Sequence, residues 1–280
     1  MVTRKSCISK RFLPRLYKGY QRWSMDWVEM LVMLQSQQKF PLVAEDLSAH
    51  VIFLPRLKGR AEKTFESLHR QGIPYKTIGA VDGLAGFDAG TIEHYAGAKR
   101  KKWISLLSGK SHAERISLYL TRFTVADAQI KKSLHESLRF GCYISHVLLW
   151  RNALQRGMPF LTVFEDDVVL EPNFTARLRN ILRTLPENWD LLYLNGCYRK
   201  LGPRFDSDVV LSKGGLCTFG YVVSLNGVAK LFHHDSLKSD KPIDHVLDEL
   251  VLHGQLIAFH ADPPLLHTNK SVESTLAYYS

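Results

Sequence analysis

Cysteine is scarce in this chain, and acidic charge is outnumbered. Four cysteines, Cys7, Cys142, Cys197 and Cys217, are spread through 280 residues, too few and too scattered for a disulfide scaffold. Free, mostly buried thiols in a reducing compartment are therefore expected. Long apolar runs are also missing. The longest stretch without Asp, Glu, Lys or Arg is Gly214 to Ala229, 16 residues carrying four glycines, short of the roughly 20 apolar residues of a spanning helix. The apolar stretch Trp27 to Leu34 contains Glu29 and runs into Gln-Ser-Gln-Gln rather than a small-residue cleavage site, which argues against a secretory signal. Internal repeats and low-complexity tracts are lacking as well. With 45% hydrophobic and only 23% charged residues, a mostly disordered chain is excluded.

What acid there is stands against 37 Lys and Arg, 27 Asp and Glu leaving a formal charge of +10. An excess of that size ordinarily points to nucleic acid, an anionic membrane or an anionic substrate. Its distribution narrows the choice. Residues 1–22 hold seven basic residues and no acid, and Lys99 to Lys132 hold nine against Glu114 and Asp127, so each segment carries +7 and the remainder 10 − 14 = −4. The basic character belongs to two segments on a mildly acidic body, and neither resembles a nucleic-acid-binding module. A basic extension over residues 1–49 and one domain over 50–280 are the expected organisation, with a cytoplasmic location and peripheral contact to anionic lipid.

Along that body, apolar runs alternate with amphipathic stretches. His50–Leu54 predicts a buried strand, Arg60–Gly72 a helix with Ala61, Phe65 and Leu68 on one face, and Tyr75–Ala80 a second strand. Leu138–Arg156 predicts a helix, Phe160–Phe164 an apolar strand, and Asn173 a cap for a helix ending at Leu185. Further strands are expected at Asp190–Leu194, Cys217–Ser224 and Gln255–His260, and further helices at Asn226–His233 and Lys241–Leu252, the last with Pro242 in its first turn. Strands separated by such helices predict an α/β fold, a mostly parallel sheet covered on both faces. Ligands then sit beyond the carboxyl ends of strands.

Glu165-Asp166-Asp167 falls at such an end. Three adjacent carboxylates repel one another, by about 1 kcal/mol per pair ~4 Å apart in water and several times that near protein. A divalent cation removes the penalty, and oxygen-only ligands favour Mg²⁺ or Mn²⁺. In an extended chain, positions i and i+2 face the same way, so Glu165 and Asp167 are the expected metal pair with Asp166 turned towards a ribose hydroxyl or a backbone amide. A solvated acidic turn is the plainer alternative. Cys142 and His146 have the i, i+4 spacing of zinc ligands, but no second pair accompanies them.

These segments together resemble glycosyltransferase family 25, the bacterial lipooligosaccharide and lipopolysaccharide transferases and their collagen galactosyltransferase relatives. The resemblance rests on seven segments in order: Val51–Leu54 with Arg60; Gly72–Tyr75 with Ala80–Gly83; Gly141, Cys142, Ser145, His146 and Trp150; Val163–Asp167; Gly220–Ser224 with Gly227, Lys230 and Leu231; Pro242–Asp244 with Leu247; and Pro263–Leu265. It covers about four-fifths of the chain. The first strand departs from the family pattern by ending in Leu-Pro, and the first 49 residues have no recognised counterpart.

The resemblance implies a GT-A type fold and an inverting transfer from a nucleotide sugar, most often UDP-galactose, to a saccharide of a lipid-linked acceptor. It implies Mn²⁺ or Mg²⁺ on Glu165 and Asp167, and Asp244 as the base that activates the acceptor hydroxyl, with Asp248 in reserve. Arg60, Asp82, Ser145, His146 and Asp166 are the expected contacts to the nucleotide, and Tyr221 the expected platform for the acceptor sugar. For each, a structural role is the competing reading: a surface arginine, an Asp-Gly turn, a core histidine, a core aromatic. A nucleic-acid-binding protein and a metal-dependent phosphohydrolase are the alternatives from other classes.

Overall fold

A computed structural model describes residues 47–82, 128–233 and 241–269. Both basic segments lie outside the described residues, apart from Ala128–Lys132, described as backbone only. The first strand, β1 (Ala49–Phe53), leads through a 3₁₀ turn (Pro55–Leu57) into helix α1 (Lys58–Arg70) and strand β2 (Tyr75–Gly79). The long helix α2 (Ala128–Arg156) then precedes β3 (Phe160–Glu165), β4 (Val168–Leu170) and α3 (Phe174–Thr184). Strands β5 (Leu191–Tyr193), β6 (Leu201–Asp206), β7 (Val209–Ser212) and β8 (Gly220–Ser224) follow, then α4 (Leu225–His233), α5 (Ile243–Leu252), β9 (Ala258–Ala261) and β10 (Leu266–Thr268).

Eight of these strands form one sheet in the order β2-β1-β3-β8-β5-β9-β7-β6, and β4 pairs with β10 in a small second sheet. Six of the eight strands point one way. Only β8 and β7 run antiparallel to their neighbours on both sides. The sheet is thus mostly parallel, as expected. Its two faces bury separate apolar clusters, because alternate strand residues point to opposite sides. Val51 and Phe164 pack with Leu68 of α1 and Leu178 and Ile181 of α3. Ile52 and Val163 pack with Trp150 of α2, Val228 of α4 and Leu247 of α5.

Several local expectations change. The helix predicted from Leu138 is already formed at Ala128, the first described residue of this stretch. Asn173 occupies the cap position of α3, but in a left-handed conformation (φ 59°) and without a side-chain cap hydrogen bond. Pro242 is the N-cap of α5 rather than a residue of its first turn. The stretch Tyr198 to Lys213, for which no strand is expected above, contains the hairpin β6–β7; its Gly-Pro start and mixed polarity hide the pattern.

The thiols are the largest correction. Cys197 and Cys217 form a disulfide, with Cα atoms 5.4 Å apart. Their separation of 20 residues conceals that the β6–β7 hairpin folds the chain back on itself. Cys142 is free, and Cys7 lies outside the described residues.

Chain order places the site. From β1 the chain moves outward to β2, then returns past β1 to β3 on its other side. The crevice between β1 and β3 is therefore a topological switch point, where open α/β sheets bind ligands. Glu165 ends β3 opposite Ile52.

Candidate active site at the carboxyl end of the sheet

The extended geometry of β3 stops at Glu165, and Asp166 and Asp167 form a turn into β4. The i, i+2 pairing expected for Glu165 and Asp167 consequently gives way to a different grouping. Asp166 and Asp167 both grip Arg60: Nε donates to Asp166 Oδ1 at 2.6 Å, and a terminal guanidinium nitrogen to Asp167 Oδ2 at 2.7 Å. The Leu54 N–H approaches the other Asp166 oxygen at 3.4 Å. Glu165 faces elsewhere. Its Oε1 accepts from the Thr218 hydroxyl at 2.8 Å and lies 3.5 Å from His146 Nε2.

Arg60 is aimed by the helix that carries it. Thr64 and Ser67, one and two turns on, dock α1 against β4. The Thr64 hydroxyl donates to the Val168 carbonyl at 2.9 Å and accepts from the Val168 N–H at 3.0 Å, and Ser67 Oγ accepts from the Leu170 N–H at 2.9 Å. Residues at i, i+4 and i+7 share one helix face, so this docking sends Arg60 to the turn just before β4. Sequence reading missed Thr64 and Ser67. The polar stripe Arg60, Thr64, Ser67 was the signal that could have found them.

The electrostatics follow from burial. Asp166 is held above the ordinary aspartate range by burial, with Arg60 pulling it down. Burial, and next the charge of Glu165, push Asp167 up to about 6. Glu165 is also pushed up by burial, but the His146 ring and the Thr218 hydroxyl outweigh that and leave it below the usual value. Asp167 Oδ1 is buried and has no hydrogen-bond partner among the described residues.

Behind Glu165 lies a fixed polar chain. Trp150 Nε1–H donates to the Tyr221 hydroxyl at 2.8 Å, which is also 2.8 Å from His146 Nδ1. The indole can only donate, so the Tyr221 hydroxyl is left to donate to Nδ1, which puts the ring proton on Nε2, 3.5 Å from Glu165 Oε1. Tyr221 is fully buried, so its ring has no face for a sugar and the acceptor-platform role is corrected to that of an orienting core residue. Ser145 is likewise internal: its hydroxyl donates to the Gly141 carbonyl and accepts from the Val81 N–H, fixing the chain next to Asp82, just beyond β2. Cys142 Sγ, His146 and Glu165 have ligand atoms within 4.8 Å of one another, so the fold adds a third group to the Cys142–His146 pair. The Cys142 thiol is pushed well above its ordinary value by burial, then by Glu165, Asp244 and Asp166.

Asp244 sits in the first turn of α5, where Oδ2 accepts from the Cys217 N–H at 3.1 Å and Oδ1 from the His245 N–H at 2.9 Å. Thr218, the residue after Cys217, is the one that holds Glu165, so two neighbouring residues span from Asp244 to the acidic motif. Asp248 is committed differently: Lys200 Nζ lies 2.7 and 2.9 Å from its two oxygens, and the Gly215 N–H donates to it at 2.8 Å.

Comparison with known proteins gives the family of the chain. The family model "Glycosyltransferase family 25 (LPS biosynthesis protein)" matches residues 47–247. Procollagen galactosyltransferase 1 of Danio rerio is 30% identical over 239 residues, covering 78% of this chain and 35% of that protein. Procollagen galactosyltransferase 2 of Mus musculus is 25% identical over 238 residues, 78% of this chain and 34% of its own length. The inactive glycosyltransferase 25 family member 3 of Homo sapiens is 28% identical over 206 residues, 70% of this chain and 30% of its own length. The chain thus spans about a third of these curated relatives.

Proposed function

The chain belongs to glycosyltransferase family 25, and from that premise we propose that it is an inverting, metal-dependent galactosyltransferase using UDP-galactose. The carrying observation is the convergence of Glu165, Asp166, Asp167 and Arg60 at the β1–β3 switch point, with Asp244 reached through Cys217 and Thr218. The oxygen donors suit Mn²⁺ or Mg²⁺. Asp167 Oδ1, buried without a partner among the described residues, is the atom a cation would satisfy; Glu165, held by Thr218 and near His146, would have to turn from them to serve as the second ligand. A bound cation would supply Lewis-acid neutralisation of the leaving diphosphate.

The chain's own residues do the rest. Arg60 brings a positive charge into the crevice beside the diphosphate position, and Asp166 holds that guanidinium in place. Asp82, three residues beyond β2, is the residue assigned to the base or ribose. Trp150 and Tyr221 hold His146 beside Glu165 Oε1, the same oxygen that Thr218 holds. Asp244 takes the proton of the acceptor hydroxyl as that oxygen attacks from the face opposite the diphosphate. Asp248, anchored by Lys200 and Gly215, is the weaker choice for that task.

The acceptor is a hydroxyl on either a glycolipid saccharide, as the family description suggests, or a procollagen-like polypeptide, as the relatives' names suggest. The Cys197–Cys217 disulfide favours the polypeptide reading, because such bonds persist in oxidising compartments. It also removes the free-thiol ground for a cytoplasmic location. No described helix is long and apolar enough to cross a membrane. The basic segments remain as proposed contacts to anionic lipid, with residues 1–49 as an extension to a catalytic domain over 50–280.

The deciding experiment screens nucleotide sugars by thermal shift with Mn²⁺ and then measures transfer to both acceptor classes. Asp167→Ala is expected to abolish metal-dependent transfer with the fold intact, and Asp244→Asn to lower the rate at least ~10²-fold. Normal turnover by Asp167→Ala in manganese would remove the metal assignment. Unchanged turnover by Asp244→Asn would move the base elsewhere.

A further inference from the structure

Five consecutive residues, Gly214 to Thr218, touch three carboxylates of the site. The Gly215 N–H donates to Asp248, the Cys217 N–H to Asp244 and the Thr218 hydroxyl to Glu165. A Cβ at Gly214 would collide with Asp248 Oδ1, so the loop is moulded directly onto that carboxylate. Its backbone is not a resting conformation. Gly214 has φ 112°, and Cys217, a residue with a side chain, has φ 67°, a region that costs such residues energy unless their surroundings impose it.

His260 of β9 holds the carbonyl of Gly214, the loop's first residue, and the remaining ties are to the chain on the other side of the hairpin. Cys197 and Leu216 exchange both backbone hydrogen bonds at 2.9 Å, and the Lys200 N–H donates to the Gly214 carbonyl at 3.0 Å. Beyond these, the Cys197–Cys217 bond is the covalent tie. It is not needed to close the hairpin, whose own ladder pairs Leu201 with Ser212 and Arg204 with Val210, and whose β7 is further held by β9. The bond lies outside that ladder, at the end facing the carboxylates.

We infer that the Cys197–Cys217 disulfide is a positioning device for the active site, holding Gly214–Thr218 so that Glu165, Asp244 and Asp248 are oriented together. This rests on the transferase reading for the roles of Glu165 and Asp244. Opening the bond with a dithiol passes two electrons and two protons to the sulfurs: the S–S bond breaks, two cysteine thiols form, and the dithiol becomes its own disulfide. The freed Cys217 then relaxes from its left-handed conformation, and the amide and hydroxyl donors leave the carboxylates together. Donor affinity, which depends on Arg60 and the Asp166–Asp167 turn on the other side of the motif, is largely spared.

The test uses the full chain in three forms: oxidised, reduced with dithiothreitol under native conditions, and carrying Cys197→Ser with Cys217→Ser. Amide hydrogen exchange is read on the peptide spanning residues 213–219 and on peptides from β3 and β5, alongside kcat and KM for UDP-galactose with Mn²⁺. Reduction is expected to speed exchange in 213–219 at least ~10-fold while β3 and β5 stay protected. It is expected to lower kcat at least ~10-fold with KM for the donor changed less than ~3-fold. Reoxidation restores the wild type, and the double variant behaves as reduced in either condition. Unchanged exchange in 213–219, or unchanged kcat with Asp244→Asn inactive, overturns the inference and leaves the transferase reading standing. Protection lost across the whole sheet also overturns it, making the bond a general staple. An oxidised chain inactive toward every nucleotide sugar refutes the transferase reading instead, and the exchange data alone then decide whether the bond positions the segment. Should the double variant fail to fold, the native reduced protein carries the same comparison.

Discussion

Arg60 and Asp166 meet through a 2.6 Å ion-paired hydrogen bond although 106 positions separate them in the chain. Both side chains are about nine-tenths buried, and the same guanidinium also takes Asp167. The acidic motif therefore already has one cation, supplied by the protein. Replacing it with Arg60→Met leaves two buried carboxylates unpaired, a change that typically costs about 3–5 kcal/mol. A lower melting temperature without metal is expected. Because a divalent cation answers the same charge, Mn²⁺ should raise the melting temperature of Arg60→Met by more than that of the wild type. Equal shifts in a differential scanning experiment would separate the metal site from this pair.

Asp190 is a buried carboxylate outside the site. Lys230 Nζ lies 2.5 Å from it, Asn226 donates to it at 2.9 Å and the Ile257 N–H at 2.8 Å. Gly227 packs so closely on the Asp190 carbonyl that a Cβ there would overlap it. Lys230→Met is expected to destabilise the fold by about 3 kcal/mol, read as a lower urea midpoint. Donor KM should be unchanged, since this pair ties β5 to α4 and the start of β9.

His260 is fully buried, stacked on Tyr193 with its Nε2 3.0 Å from the Gly214 carbonyl. Burial lowers its pKa to about 4 from 6.5. The unfolded chain thus binds more protons between those values, so its contribution is fully present above pH 6.5 and lost as pH falls towards 4. The shift corresponds to about 3 kcal/mol. His260→Gln should flatten the acid decline in stability over that window, measured by urea unfolding at pH 7, 5.5 and 4.

Tyr221→Phe removes one hydroxyl that serves both Trp150 and His146. Leaving those groups unpartnered in the core costs about 1–3 kcal/mol. Because the hydroxyl orients His146 towards Glu165, kcat should fall while the acceptor KM stays constant. A raised acceptor KM with unchanged kcat would return Tyr221 to the role of sugar contact.

Much of the sheet was legible because its signals are local. Phe160–Phe164 reads as a buried strand from apolar content alone, and its carboxyl end carries the acids whose crowding marks a charge that something must neutralise. The helix bearing Arg60 was legible from Ala61, Phe65 and Leu68. The short strands β4 and β10 were not, since three residues carry too little periodicity. Asn173 has the residue type of a cap, but its left-handed backbone turns the side chain away from that use.

By itself, the sequence determined the α/β class, the mostly parallel sheet and the location of an acidic motif at a strand end, because apolar alternation and turn chemistry act over a few residues. Only the tertiary structure decided how the charges are shared. Arg60 reaches the motif because Thr64 and Ser67 dock α1 on β4. Tyr221 is sealed inside because β8 runs through the centre of the sheet. Cys197 finds Cys217 because a hairpin brings together two positions that look unrelated in the chain. The scarce cysteines, which suggested free thiols, include a pair that clasps the loop in contact with Glu165 and Asp244. Spacing along a chain cannot specify such contacts, because they depend on which elements pack across the sheet.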